Sequence, residues 1–352
     1  MLTVSPEVLS LSSEAVLLAR GGRIVYANPR AEAAIGGAAV GKSTAELFGE
    51  GVANAQAGSF AADVPVGGDY CGIRTLRLAD AQVFYLQSPG LSSEFVSDAL
   101  ICSVRSLLMN MRVSIELLRS CAEGGGDEEL SRSALSLLRG YFGLVRILDN
   151  ASVLRDSLCG RLEPKLSPLC LSSLCRDVCG TLSLLRRDLS FVFSSDGDIW
   201  INGDRALVEQ LVLNLVSNAL MHAEGLSRVS LRVSRAGTLA LLSVTDDGCG
   251  MDDAALSRAF ERCGAPYELS QLGGGAGLGL SAVRAISRLH GGALMLESRP
   301  GAGTSARVSF ARLNASGGSL SQEQGFPDAM QRLLTALSGC LPPECFRGVY
   351  LD

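Results

Sequence analysis

Histidine and lysine are nearly absent from this chain of 352 residues. It has two histidines, His222 and His290, and two lysines, Lys42 and Lys165, so arginine carries almost all of the positive charge. Because no histidine precedes position 222, any chemistry that depends on an imidazole side chain is excluded from residues 1–221.

The chain also lacks a basic excess and a long apolar run. Its formal net charge is −5 and its pI is about 5.3, so no positive field would attract nucleic acid or an anionic membrane. No apolar run reaches the roughly 18 residues that a membrane-spanning helix needs, and the opening MLTVSPEVLSLSSE lacks the basic-then-apolar order of a secretion signal. We therefore expect a cytoplasmic protein with no nucleic-acid partner and no membrane span. The length and the 47% content of hydrophobic residues predict two or three folded domains.

The eleven cysteines form an odd set that extends from Cys71 to Cys345. In a reducing compartment this distribution predicts thiols that pack as small apolar residues rather than a disulfide framework. The densest group is Cys170, Cys175 and Cys179, whose spacing matches neither CxxC nor a Cys/His ligand pattern. We therefore predict core packing rather than a metal site for this group.

Residues 1–90 mix short β-type runs with turn residues and form the first predicted domain. Gly21 and Gly22 separate the runs AVLLA and IVYAN, which is typical of a β-hairpin, and the runs IRTLRL and QVFYLQ follow. Residues 15–48, in which IVYAN precedes an alanine-rich helix and GKSTAELF, resemble the first half of a PAS sensor domain. The resemblance implies a PAS-like α/β sensor domain. No residue identifies a ligand, so a packed dimerisation module without one is an equally good alternative.

Residues 91–160 have apolar residues three and four positions apart, which is typical of long amphipathic helices. The stripe of the first helix consists of Leu100, Val104, Leu107, Met111, Ile115 and Leu118, and that of the second consists of Leu130, Ala134, Leu137, Tyr141, Leu144, Leu148 and Ala151. The run EGGGD breaks the helix between them, and Asp127 can cap the second helix. Because two helices cannot bury stripes of this width, we expect an antiparallel hairpin that forms a dimeric four-helix bundle.

Residues 161–313 alternate helical and strand patterns and form the third predicted domain. Helices are predicted at 169–185, 205–221, 254–262 and 281–289, and strands at 189–193, 229–234, 238–245, 293–298 and 305–310. This order predicts an α/β sandwich with helices on one face of a mixed sheet. The remainder, 314–352, is predicted to be a linker with one accessory helix at MQRLLTAL.

Within the third domain, Asn214 and Asn218 lie one helical turn apart and therefore share a helix face. An amide oxygen is a hard neutral ligand for Mg²⁺, and an amide NH₂ can donate to a phosphate oxygen. Alone, the pair is equally consistent with ordinary helix-surface residues.

The segment SVTDDGCGM ends a strand at Asp246, which is followed closely by Gly248 and Gly250. A carboxylate at a strand end can accept a hydrogen bond from an exocyclic amine, and glycine lets the backbone approach a flat ring. These properties suit adenine, although an ordinary turn would contain the same residues.

Two more glycine-rich segments follow. GGGAGLGL contains Gly275, Gly277, Leu278 and Gly279 and opens a helix, whose first N–H groups can bind a phosphate chain. It has neither the preceding strand of a dinucleotide-binding fold nor the GK[ST] of a P-loop. In the later segment GAGT, Thr304 can add a hydroxyl contact to phosphate.

In their order and spacing these four segments resemble the N, G1, G2 and G3 boxes of the GHKL ATP-binding fold. The resemblance implies ATP and Mg²⁺ as ligands, with Asn214 as the metal ligand, Asn218 near phosphate and Asp246 as the acceptor for the adenine amine. It also implies a mobile lid over residues 252–274. The other implied ATP-binding residues are Gly248, Gly250, Gly275, Gly277, Leu278, Gly279 and Thr304.

The whole layout over residues 10–313, a sensor-like module, a helical hairpin and an ATPase domain, resembles the sensor histidine kinases. Asp204 fits the aspartate that precedes the N box of that family, and FER at 260–262 fits its F box. Such kinases phosphorylate a histidine on the first bundle helix of a dimer and pass the phosphoryl group to a response-regulator aspartate. The resemblance therefore implies a homodimer and a response regulator as partners.

The acceptor segment departs from the family at its defining residue. When residues 101–108 are aligned with the SHELRTPL pattern of the family, Arg105 and Leu108 match, but Cys102 stands in place of the histidine. Ser103 replaces the adjacent carboxylate. Helical phase places Cys102 about 200° from the predicted apolar stripe, on the side where an acceptor must be exposed.

Positive charge at the phosphate end is also reduced. The family commonly has Lys or Arg in the N box and the lid, whereas this chain has Met221 in the N box and no basic residue at 263–274. Arg262 could compensate, and Arg284 and Arg288 lie on the following predicted helix. Because phosphoryl transfer depends on positioning and on cations near the phosphoryl oxygens, nucleotide binding is better preserved than transfer.

The leading hypothesis is a homodimeric, ATP-binding, sensor-histidine-kinase-like protein that is degenerate for histidine autophosphorylation. The candidate catalytic residues are Cys102, at the acceptor position, and Gln210, at the start of the N-box segment. A second hypothesis retains phosphoryl transfer but moves the target to the Cys102 thiol or to a partner protein. A third is a dimeric scaffold that binds a response regulator without using ATP.

Overall fold

The computed structural model describes residues 15–49, 52, 59–66, 69–77, 81–87, 98–125, 127–222, 225–262, 278–313 and 326–346. These residues form an α+β protein with a sheet and two helices at the N-terminal end, a long helical hairpin, and a C-terminal sheet covered by helices. None of the helices in these ranges is long and apolar enough to cross a membrane.

The N-terminal unit is an antiparallel sheet with strand order β2-β1-β5-β4-β3. Its elements are β1 (Ala15–Arg20), β2 (Arg23–Ala27), α1 (Pro29–Ile35), α2 (Thr44–Phe48), β3 (Ser59–Val66), β4 (Asp69–Arg77) and β5 (Gln82–Gln87). Gly21 and Gly22, with φ values of 55° and 75°, form the turn of the predicted hairpin. Leu17, Ile24 and Phe84 pack with residues of both helices in a core of their own.

The hairpin consists of α3 (Asp98–Gly125) and α4 (Glu128–Leu158), which pack along each other. The carboxylate of Asp127 accepts hydrogen bonds from the backbone N–H groups of Glu129 and Leu130, at 3.0 and 3.1 Å. Asp127 therefore caps α4, as the sequence predicts.

The face of α3 that is buried differs from the predicted apolar stripe. Its buried apolar residues are Ile101, Leu108, Ile115 and Ala122, which are seven positions apart and form a narrow seam. Much of the predicted stripe is exposed, including Leu107, Met111 and Leu118 on α3 and Leu137 and Leu144 on α4. Contacts within one chain thus cover only part of the predicted stripes, and burial of the remainder in a dimeric four-helix bundle stays a prediction.

The C-terminal domain contains seven strands and four helices between residues 167 and 313 of the described chain. They are β6 (Ser167–Cys170), α5 (Leu171–Leu185), β7 (Ser190–Ser195), β8 (Trp200–Gly203), α6 (Arg205–His222), β9 (Arg228–Ala236), β10 (Leu239–Asp246), α7 (Asp253–Arg262), α8 (Leu278–Leu289), β11 (Leu294–Ser298) and β12 (Thr304–Leu313). The strand order is β11-β12-β10-β9-β7, and β7 is parallel to β9. Alternate residues of β9 and β10 are buried, so α5, α6 and α8 cover one face of this mixed sheet.

Two strands of this domain, β6 and β8, were not predicted. They pair with each other, and β8 also pairs with the end of β12. Each has four residues, which is too short for a clear alternating pattern. The helix predicted from position 169 therefore begins at Leu171. It buries Cys175 and Cys179, and burial raises the pKa of both thiols.

The N-terminal sheet and the C-terminal sheet are joined edge to edge. Strand β3 pairs antiparallel with β11, and Ala62 lies opposite Met295. This contact was not predicted, because backbone pairing between sheet edges leaves no pattern in the side chains.

The C-terminal segment has a helix, α9 (Phe326–Ala336), and a 3₁₀ turn, Pro343–Phe346. Leu334, Leu337 and Phe346 are fully buried and belong to the same core as α4 and α6. The predicted accessory helix is present, and it packs against both the hairpin and the C-terminal domain.

Candidate functional site

Asn214 and Asn218 face the first turn of α8. A Cβ atom added at Gly279 would lie 3.2 Å from Asn214 Oδ1 and 3.6 Å from Asn218 Oδ1. The two amide oxygens therefore converge on one point, as their spacing along the helix predicts. Glycine at position 279 lets the helix start approach them.

Asp204 fixes the beginning of α6. Its Oδ1 accepts hydrogen bonds from the N–H groups of Ala206 and Leu207, at 3.0 and 3.2 Å, and its Oδ2 accepts from Lys165 N at 2.9 Å. The backbone N–H of Asp204 donates to Nε2 of His290 at 3.0 Å. Both Asp204 and His290 thus hold the helix that carries the two asparagines.

Asp246 lies at the end of β10 with 8% of its surface exposed. Its Oδ1 accepts from the backbone N–H groups of Gly248 and Thr304, at 3.1 and 3.2 Å. Burial raises the pKa of Asp246, and these two donors act in the opposite direction. Oδ2 accepts no hydrogen bond from the residues that the structure describes, so it can accept one from a bound ligand.

Thr304 lies beside Asp246, and its hydroxyl shares a 2.9 Å hydrogen bond with Ser298 Oγ. The pairing of β12 with β10 explains this position, because it brings the start of β12 to the end of β10. The predicted contact of the Thr304 hydroxyl with phosphate stays a prediction.

Gly250 and Gly303 allow two loops to touch. Both have a positive φ, 66° and 78°. A Cβ atom at Gly250 would lie 1.9 Å from the carbonyl oxygen of Arg299, and one at Gly303 would lie 2.0 Å from that of Asp246. No other residue type fits at either position without moving the backbone, so these glycines set the shape of the loop below Asp246.

Two cavities adjoin the N-box helix. The first, of about 330 Å³, has apolar walls that include Leu215, Val244 and Leu296, and polar groups at Asn218 and Asp246. This combination of apolar walls with a few polar groups is typical of a small-molecule site. The second cavity, of about 360 Å³, lies between α4, α6 and α9 and includes Asn214 among its lining residues.

Asn150 on α4 contacts the N-box helix directly. Its Nδ2 donates to Asn214 Oδ1 at 3.1 Å, and its Oδ1 accepts from Asn214 Nδ2 at 2.8 Å and from Gln210 Nε2 at 2.9 Å. Asn150 and Asn214 are each 3% exposed. Asn150 is not among the site residues predicted from the sequence. Its signal was a polar residue amid the apolar positions of a helix, which is unusual unless the residue is partnered.

Arg284, one of the arginines named from the sequence, lines neither of the two cavities. Arg284 is buried with its guanidinium 5.1 Å from the ring centroid of Phe260. Instead, Arg146 of α4 reaches the N-box helix, donates to Ser217 Oγ at 2.5 Å and lies 3.7 Å from Met221 Sδ. Arg258 of α7 lines the first cavity.

Other predicted site residues are dispersed or fall outside the described ranges. Cys102 is exposed on α3, as helical phase predicts, and does not line either cavity. Leu278 is buried at the start of α8. Gly275, Gly277 and positions 263–274 of the predicted lid lie outside the described residues.

Comparison with known proteins places these features in a family. Residues 203–314 match the family described as histidine kinase-, DNA gyrase B-, and HSP90-like ATPase. The chain is 42% identical to histidine protein kinase DivJ of Caulobacter vibrioides over 118 residues, which are 32% of this chain and 19% of DivJ. It is 38% identical to sensor histidine kinase TrcS of Mycobacterium tuberculosis over 111 residues, which are 30% of this chain and 22% of TrcS. The matches thus span about a fifth of the length of these relatives.

Among solved structures, the chain resembles full-length ShkA in complex with AMPPNP. The TM-score is 0.52 at 20% sequence identity, over 63% of this chain and 47% of ShkA. At this identity the likeness concerns the fold.

Fold, motifs and comparisons together define residues 203–314 as an ATP-binding domain of the GHKL type. Over this domain the chain is similar to sensor histidine kinases. This confirms the family resemblance of the four sequence motifs.

Proposed function

We propose that the protein binds Mg-ATP as a homodimeric signalling protein of the two-component type and does not phosphorylate a histidine of its own. The observation that carries the first part is the placement of Asp246 and Asn218 in one cavity with apolar walls. Asp246 Oδ2 would accept a hydrogen bond from the adenine amine, and the apolar walls would hold the ring.

The donor set on α6 fits a magnesium ion. Asn214 and Asn218 present amide oxygens to the same point beside Gly279, and Mg²⁺ prefers oxygen ligands, several of which commonly come from phosphate and water. Asn214 would hold the ion, with Asn218 near phosphate. The ion would neutralise charge on the phosphate chain.

The loss of histidine autophosphorylation rests on the hairpin. No residue between 1 and 221 is histidine, and Cys102 with Ser103 stands at the acceptor position of α3. His290 is buried beside the start of α6, where its Nε2 accepts a hydrogen bond from the backbone N–H of Asp204, and it is not part of the hairpin. Signal output would then depend on conformation or on a partner.

The homodimer and the partner are supported by exposed apolar residues of the hairpin. Leu107 and Leu117 of α3 are 63% and 64% exposed, which is unusual for leucines on a long amphipathic helix. A second copy would cover this surface in a four-helix bundle, and a response regulator would dock on the bundle. The N-terminal sheet with α1 and α2 would act as a PAS-like sensor module. A cytoplasmic location stays a prediction.

Isothermal titration calorimetry with Mg-ATP tests nucleotide binding. We expect micromolar affinity for the wild type and a loss of roughly 10- to 100-fold in Asp246→Asn, because the amide has only one acceptor oxygen and carries no charge. Asp247→Asn is the matched control, since Asp247 is exposed and bonds to Ser227 and Arg228 outside the cavity. Equal affinities for wild type and Asp246→Asn, or no binding to either, would favour a scaffold that does not use ATP.

A second candidate function is phosphoryl transfer to the Cys102 thiol or to a partner protein. The exposed position of Cys102 on α3 favours the first target. Intact-mass measurement after incubation with Mg-ATP would detect one added phosphoryl group that Cys102→Ala lacks. Acid-labile phosphate on a histidine would contradict the proposal that the protein does not phosphorylate a histidine of its own. Transfer only to an added response regulator would support a partner protein as the target.

A further inference from the structure

The amide oxygen of Asn214, which we propose as a Mg²⁺ ligand, accepts a hydrogen bond from the hairpin. Asn214 Oδ1 accepts a hydrogen bond from Asn150 Nδ2 at 3.1 Å, and the reverse bond from Asn214 Nδ2 to Asn150 Oδ1 is 2.8 Å. Gln210 Nε2 adds a third bond, to Asn150 Oδ1, at 2.9 Å. Because both asparagines are buried, these bonds are shielded from competing water.

An oxygen that accepts this N–H group cannot bind a cation in the same direction. Mg²⁺ needs its oxygen ligands at about 2.0–2.1 Å and demands near-octahedral geometry. The N–H of Asn150 uses one of the two acceptor positions of Asn214 Oδ1 and carries partial positive charge. The ion and Asn150 therefore compete for Asn214 Oδ1, and the hydrogen bond weakens binding of the ion.

Three carbonyl oxygens of the C-terminal segment accept hydrogen bonds from α4. Arg139 donates to the carbonyls of Ser338 and Gly339 at 2.8 and 2.9 Å, and Arg146 donates to that of Ala336 at 3.1 Å. Ala336 ends α9, and Ser338 and Gly339 follow it, in the region where helix backbone acceptors lack intrahelical partners. Two arginines of the hairpin thus form hydrogen bonds with the C-terminal end of α9 and the residues after it.

The same segment is tied to the C-terminal domain. Arg186, at the end of α5, donates to the carbonyl of Cys340 at 2.6 Å, and Arg332 pairs with Glu209 of α6 at 3.0 Å. The ring of Phe346 stacks on Phe142 of α4 with 5.7 Å between centroids. The segment therefore bridges α4 and α6 by polar and apolar contacts on both sides.

From these contacts we infer that residues 326–346 and Asn150 form a latch that docks α4 on the N box and competes with the metal ion for Asn214. The inference rests on the proposed binding of Mg-ATP. Docking of α4 and binding of Mg²⁺ oppose each other, so the nucleotide with its metal favours release of the hairpin, and a signal that moves α4 raises the affinity for Mg-ATP. The C-terminal segment is the element that sets this balance.

Calorimetry on the full chain tests the latch with three variants. Asn150→Ala removes the bonds to Asn214, and we expect about tenfold tighter binding of Mg-ATP, the gain when a state populated at about one tenth becomes dominant. In EDTA, the affinities of Asn150→Ala and the wild type for ATP should differ by less than about twofold, because only the metal competes with Asn150. Arg139→Gln, which lies outside the site, should also tighten Mg-ATP binding. This variant provides the test if Asn150→Ala does not fold. The matched control is Arg132→Gln, whose side chain bonds to the Glu128 carbonyl of its own helix.

Hydrogen exchange supplies a readout that does not depend on activity. Addition of Mg-ATP to the wild type should speed amide exchange in the second half of α4 and in residues 330–346, while ATP in EDTA should leave it unchanged. Unchanged or slower exchange with Mg-ATP would overturn the latch, as would a Mg-ATP affinity of Asn150→Ala equal to or weaker than that of the wild type. If either of these results is found and the wild type still binds Mg-ATP with micromolar affinity, only the latch is contradicted. If neither the wild type nor Asn150→Ala binds Mg-ATP, the proposed function is contradicted as well.

Discussion

Arg332 on the C-terminal helix α9 forms an ion pair with Glu209 on α6, with 3.0 Å between Arg332 Nε and Glu209 Oε2. Glu209 is 4% exposed, and burial raises the pKa of its carboxyl group while Arg332 acts in the opposite direction. The pair joins the last helix of the chain to the helix that carries both asparagines. The position of the C-terminal segment is therefore coupled to the N box.

Removal of Arg332 should destabilise the protein. In Arg332→Ala the Glu209 carboxylate stays buried without this partner, and we expect a loss of about 3 kcal/mol in the free energy of unfolding. Urea denaturation measures it. Arg105→Ala is the control, because the Arg105–Asp149 pair is 3.5 Å long and about half exposed on both sides, so its loss should cost under about 0.5 kcal/mol. Equal losses for the two variants would contradict a stabilising role of the Glu209 pair.

Alanine at Gly250 should be far more costly than alanine at Gly237. Both glycines have a positive φ, 66° and 58°, so each substitution carries a conformational penalty of about 1–2 kcal/mol. Only the Gly250 Cβ would also collide with a backbone oxygen, at 1.9 Å, whereas Gly237 has open space. Thermal unfolding should show the difference, and Gly250→Ala should also weaken nucleotide binding. Similar melting temperatures would mean that the loop can move aside without cost.

A charge in the exposed apolar surface of α3 should prevent dimer formation. Leu107→Glu would bury a carboxylate in the proposed bundle, at a cost of several kcal/mol per site. Sedimentation equilibrium should then give a monomer in place of a dimer. Leu184→Glu is the matched control, because Leu184 is 69% exposed on α5, away from the hairpin, and should leave the dimer intact. A wild-type monomer at all concentrations would contradict the homodimer itself.

Nucleotide affinity should fall in mild acid. Burial raises the pKa of Asp246 above its usual value of 3.8, so protonation begins at a higher pH than for an exposed aspartate. The ionised carboxylate is the better acceptor for an amine N–H, so binding favours the deprotonated form, and affinity decreases as the pH falls through the raised pKa. Titrations between pH 7 and about 4 should show this loss in the wild type. Asp246→Asn should retain only the part that comes from protonation of ATP, and an identical profile in both would exclude Asp246 as the source.

Local patterns in the sequence predict most of the elements around the site. The one-turn spacing of Asn214 and Asn218 predicts their common face, and the run into Asp246 predicts a strand end, because both follow from helix and strand geometry alone. The cap at Asp127 and the Gly21-Gly22 turn are likewise local features. Such features depend on neighbours within a few positions, so they can be predicted from the sequence.

Contacts between distant segments were not predicted. The pairing of β3 with β11 joins two sheets through backbone groups that every residue has, so no side-chain pattern marks it. The position of Thr304 beside Asp246 follows from the register of β12 on β10. The narrow seam of α3 that packs within one chain was also not predicted, because periodicity does not say which part of a broad stripe contacts its own chain.

The sequence by itself determined the four ordered motifs, the absence of a histidine before position 222 and the presence of a cysteine at position 102, because these are matters of residue identity and spacing. Only the tertiary structure decided that Asn150 meets Asn214 and that Arg139 and Arg146 grip the C-terminal segment. Those partners are 64 to 200 positions apart, and the free energy that brings them together comes from burial of the shared core of α4, α6 and α9 rather than from any local preference.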